Sequence, residues 1–116
     1  MRAMKAFVTL LSACTLASAA LGLFAYLQVP DGATVAIHFD SAGRANGWAQ
    51  PASAFLSMPL VCVGFLLFHG LLPRLKPGIS TMERNLVAGG FAFIGVAMLV
   101  GQAAIVAHAL GTVGNS

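Results

Sequence analysis

Polar and apolar positions along the chain separate into long blocks. Ala6 to Val29 carries no formal charge, nor does Ala52 to Leu72, and Leu86 to Leu110 is interrupted only by Gln102 and His108. A helix needs roughly 20 residues to cross about 30 Å of hydrocarbon, and each block is long enough. The pattern predicts one domain of three transmembrane helices, over about 6–29, 52–72 and 86–110. A polar stretch, 30–51, joins the first two, and a turn-rich stretch, 73–84, joins the last two. The expected fold class is an all-α membrane protein with a structured extracytoplasmic loop between helices 1 and 2.

Local signals refine these limits. Pro73 is a natural place for the second helix to stop, and Ser80 or Thr81 can cap the third. The first block has a competing reading as a secretory signal. Arg2 and Lys5 form a basic start, Ala17-Ser18-Ala19 has a small-x-small pattern, and Leu11-Ser12-Ala13-Cys14 is compatible with lipidation at Cys14. A signal core spans 7–15 residues, whereas this block runs on through Leu21, Leu23, Phe24, Tyr26 and Leu27. That favours a retained span.

Composition excludes a soluble globule. Of 116 residues, 59% are hydrophobic and 8% charged, against about a quarter charged in soluble domains. The net charge of +3 does not imply a nucleic-acid partner, because the basic residues stand at the ends of apolar blocks. Arg2, Lys5, Arg74, Lys76 and Arg84 fall on one side and Arg44 on the other. The positive-inside rule then places the N-terminus in the cytoplasm and the 30–51 loop and C-terminus outside.

Within lipid, helices associate through close backbone approach. Gly90, Ala97, Gly101, Ala104, His108 and Gly111 recur along the third helix, and Ala13, Ala17 and Ala20 along the first, with Ser18 and Gly22 beside them. These surfaces are expected to pack within the chain or across a homo-oligomer or larger membrane complex. Gln102 is expected to donate across a helix interface. Membrane lipid is the remaining partner.

Candidate chemistry is sparse. Cys14 and Cys62, at similar depths in their spans, read as small packing residues, and His69 as an interfacial histidine near a helix end. His108 shares a side of the membrane with His38, Asp31 and Asp40, yet two histidines far apart in sequence read more simply as packing than as a metal site. There is no nucleophile–base set, no phosphate-binding glycine loop and no charged residue within a span, where ion and proton pathways usually place one. The expectation is a protein that is not an enzyme, with no cofactor and no metal.

The polar stretch holds most of what remains. Thr34 to Phe39 alternates as a short strand does, with Val35, Ile37 and Phe39 on one face. Asp40-Ser41-Ala42-Gly43 reads as a turn ending in a glycine at positive φ, and Asn46-Gly47 as a second turn. Trp48, the single tryptophan, precedes the second helix as an interfacial anchor.

Pro30-Asp31, His38, Phe39, Asp40, Gly43, Asn46, Gly47 and Trp48 follow one another in an order that resembles the N-terminal membrane domain, of largely unknown function, of SdpI-type immunity proteins. That family usually has a proline two residues before the histidine, where this chain has Ala36, and a lysine where it has Pro51. The resemblance implies a short, three-span protein of the bacterial inner membrane. It also implies protection against, or sensing of, a toxin peptide or hydrophobic ligand through the outer loop, with His38, Phe39, Asp40, Gly43 and Trp48 as ligand-binding residues. The alternative is a structural or accessory subunit that docks through Gly90, Ala97, Gly101 and Ala104.

Overall fold

The computed structural model describes residues 2–30 and 32–114; Asp31, paired above with Pro30, lies outside them. The element order is α1 (Arg2–Gln28), β1 (Val35–Phe39), β2 (Ala45–Ala49), α2 (Pro51–Leu75) and α3 (Thr81–Gly114). All three helices are long and apolar enough to cross a membrane. At about 1.5 Å per residue they measure about 40, 38 and 51 Å, so α3 is much longer than a 30 Å hydrocarbon layer requires.

Several helix limits differ from the sequence expectation: α1 already begins at Arg2 and α3 extends to Gly114. α2 continues through Pro73 to Leu75, because a proline interrupts only the hydrogen bond to the carbonyl four residues earlier. α3 begins five residues earlier than expected, at Thr81. Ser80 caps it: its Oγ accepts the Glu83 N–H at 3.0 Å and donates to the Glu83 carboxylate at 3.3 Å. This Ser-x-x-Glu arrangement satisfies an otherwise orphaned donor of the first turn. An exposed Lys76–Glu83 ion pair closes the intervening turn, where Gly78 takes φ +85°.

The helices meet along a seam of small residues. On α1 the buried positions include Leu11, Cys14, Ser18, Gly22 and Ala25, and on α3 Ala88, Ala92, Gly95, Gln102, Val106 and Ala109. Their steps of three and four are the repeat of helices that pack nearly parallel. α2 contributes Ala54, Phe55, Pro59, Cys62, His69 and Leu72.

At the centre of the seam stands Gln102, fully buried. Its Nε2 donates to the Phe55 carbonyl at 2.7 Å and to the Ser18 carbonyl at 3.1 Å, joining all three helices. Pro59 explains the first bond. It lies four residues after Phe55 and has no N–H, so the Phe55 carbonyl has no helical donor, and the glutamine supplies one. Gly22 makes the approach feasible: a Cβ there would stand 2.3 Å from the Phe55 oxygen and 2.7 Å from Gln102 Nε2. In a hydrocarbon environment an unsatisfied backbone carbonyl costs several kcal/mol, so proline, glutamine and glycine form one unit.

Candidate functional site

The stretch between α1 and α2 folds as an antiparallel hairpin, β1 against β2. The Asp40–Arg44 turn is built as its composition suggests. Asp40 Oδ1 accepts the backbone N–H groups of Ala42 and Arg44, both at 2.9 Å. The Asp40 N–H donates to the Arg44 carbonyl at 2.9 Å, the Gly43 N–H donates to the Asp40 carbonyl at 3.0 Å, and Gly43 takes φ +81°.

Asn46-Gly47, expected as a second turn, lies instead within β2. The glycine serves close approach: a Cβ at 47 would lie 3.0 Å from that of His38, its partner across the ladder. The register shifts on both sides of His38, which bends the ribbon there. The expected all-α class with one strand-like stretch in its loop is therefore amended to three helices plus a two-stranded sheet between the first two.

Val35, Ile37, Phe39 and Ala49 turn toward the helices and pack with Ala25, Ala54, Phe55, Ile105 and Val106. Phe39 meets the His108 ring edge to face, centroids 5.3 Å apart. His38, Asp40, Gly43 and Trp48 are exposed, Trp48 by 57%. Of the five loop residues singled out from the sequence, Phe39 thus fastens the hairpin to α3, Asp40 and Gly43 shape its tip, and His38 and Trp48 are presented outward.

Two clefts flank the chain leading into β1. One, of about 390 Å³, is lined by Tyr26, Val29, Ala33, Thr34, Gln50 and Ala52, among others. The other, of about 120 Å³, includes Thr34, Ala36, Trp48, His108 and Ala109. The larger falls within the usual range of small-ligand sites, and only Trp48 of the five loop residues lines either cleft. Tyr26, Thr34 and Gln50 were missed because they line one cleft only once the end of α1 meets the start of α2.

Of the two expectations for the small residues of α3, packing within the chain or against another chain, the single chain does not use the first for most of them. Gly90, Ala97 and Ala104 are exposed, and a Cβ at Gly101 would meet only the tip of Met58, at 3.4 Å. The inward stripe is offset by two residues, about 200° around the helix. Ala13 and Ala20 on α1 are likewise exposed, beside the buried Ser18 and Gly22.

Cys14 and Cys62 are buried and free, with Cys62 beside Thr15 and Cys14. His69 turns inward near Arg84, correcting its interfacial reading, and its Nε2 has no hydrogen-bond partner among the described residues. Among the described residues no group of three His, Cys, Asp or Glu side chains could hold a metal ion.

Residues 13–63 match the family model of a domain of unknown function, DUF1648. The matched span takes in most of α1, the whole hairpin and the first half of α2, including Gly22, Phe55 and Pro59. No curated protein and no solved structure matches the chain.

Proposed function

We propose that the chain is a small integral protein of the bacterial cytoplasmic membrane whose segment between α1 and α2, facing outward, captures a toxin peptide or another hydrophobic ligand. The resemblance to SdpI-type immunity proteins motivates the ligand class. The observation that carries the reading is the hairpin itself: it is fastened to α3 through Phe39 and His108, presents His38 and Trp48 outward, and joins the helices through segments that line a cleft of about 390 Å³. A ribbon that served only as a connection between helices has no need of an Asp40 turn, a Gly47 contact and a bulky exposed Trp48.

Survival tests this directly. Sensitive bacteria making the chain are challenged with toxin-producer supernatant, beside cells making His38→Ala or Trp48→Ala at equal membrane levels. Protection of at least tenfold that either variant removes supports the reading, whereas equal survival of all strains contradicts it.

A second reading has its own observation. The outward Gly90, Ala97 and Ala104 form a stripe of small residues beside the exposed Phe93 and Val100, and small residues let helices approach closely in lipid. In that reading the chain is an accessory subunit, and Ala97→Leu abolishes co-purification of a partner while leaving the monomer folded.

A further inference from the structure

The hairpin has only two strands, so each strand has one side facing its neighbour and one facing away. About half of the backbone donors and acceptors of a strand point to each side. Among the described residues, Ala45 to Ala49 make no backbone hydrogen bond beyond the ladder with β1, and no side chain bonds to their backbone. Folded proteins commonly blunt such an edge with charge, proline or a covering element. β2 reads Ala-Asn-Gly-Trp-Ala, with no charged side chain and no proline.

Side-chain size points the same way. The half-buried positions of β2 are Ala45, Gly47 and Ala49, while Asn46 and Trp48 are exposed. The inward face of β2 is therefore shallow, and the residues that follow the strand, Gln50, Pro51 and Ala52, line the larger cleft. A strand laid along β2 would find both a row of backbone partners and room for its own larger apolar side chains. It would also cover part of Trp48.

We propose that the far edge of β2 is a binding site for an extended peptide, which adds a third strand to the sheet. Recognition is by backbone hydrogen bonds, and alternate apolar side chains of the peptide enter toward the helices. The proposal rests on ligand capture by this segment and specifies how capture occurs. The ligand class that follows is a peptide alternating apolar and polar residues, able to lie extended at the membrane surface.

The full chain in lipid nanodiscs tests it, with the emission of Trp48, the single tryptophan, as reporter. The probe is a capped seven-residue peptide of alternating valine and threonine, compared with two analogues N-methylated at odd or at even positions. Backbone groups of successive residues point to opposite sides of a strand, so only one analogue loses the groups that meet β2. The expected result is a saturable shift of Trp48 emission, weakened at least tenfold by methylation in one frame and little changed in the other. Equal effects of both frames overturn edge pairing while leaving capture by the loop intact. No saturable shift overturns it as well, and protection in the survival test then assigns capture to the cleft and side chains alone.

Discussion

Replacing Gln102 by leucine, of similar volume, removes both interhelical hydrogen bonds of its Nε2. Such bonds contribute about 0.6 kcal/mol on average in bilayers and at most about 1.7 kcal/mol, so the pair accounts for about 1–3 kcal/mol. The two carbonyls differ in what they then lose. Ser18, in the middle of α1, keeps the donor of its own helix, whereas Phe55 has none because residue 59 is proline. Leaving that carbonyl bare adds about 1–3 kcal/mol, partly offset by the apolar gain of leucine, for an expected total of about 2–4 kcal/mol. The decisive variant is Pro59→Ala, which restores an N–H for Phe55. In that background the cost of Gln102→Leu falls by about 1–2 kcal/mol, a coupling outside the additivity expected of independent sites. Equilibrium unfolding of the full chain in mixed micelles with increasing SDS, followed by helical circular dichroism, measures all four corners of the cycle. Additivity within about 0.5 kcal/mol refutes the assignment of Gln102 as the substitute donor.

Three further outcomes are expected. Gly22→Ala places a Cβ 2.3 Å from a backbone oxygen that cannot yield and destabilises by about 2–3 kcal/mol, whereas Gly95→Ala meets only the flexible end of Leu11 at 2.7 Å and costs less than about 1 kcal/mol in the same unfolding assay. Asp40→Ala loses two turn hydrogen bonds and about 1 kcal/mol of local stability, seen as faster amide exchange in β1 and β2, while Asp40→Asn retains most of it. Ser80→Ala removes the cap of α3 and about 1 kcal/mol, read as a lowered unfolding midpoint that is insensitive to Lys76→Ala, since an exposed ion pair contributes little.

The three helices were legible because blocks free of charge are nearly sufficient to specify spans. The Asp40 turn was legible because aspartate and glycine each have one strong local preference there. The remainder depended on contacts between distant residues. Gly47 reads locally as a turn residue, and only its pairing with His38 shows that it is there for close approach. On α3 two small-residue stripes coexist with the same repeat, and glycine and alanine cannot say which faces inward. Gln102 could have decided it: a buried amide in an apolar helix must find a partner, and the stripe that contains it runs through Ala88, Ala92, Gly95 and Ala109. Pro59 carried the matching signal, since a proline inside a span leaves a carbonyl four residues earlier in need of a donor.

The most direct test of the hairpin as the capturing element is photo-crosslinking in native membranes, with benzoylphenylalanine in place of Trp48 in one variant and of Ala97 in another. Capture by the hairpin predicts a crosslinked peptide-sized adduct from position 48 and none from 97. A protein-sized adduct from position 97, with position 48 silent, contradicts it and makes the outward face of α3 the working surface of the chain.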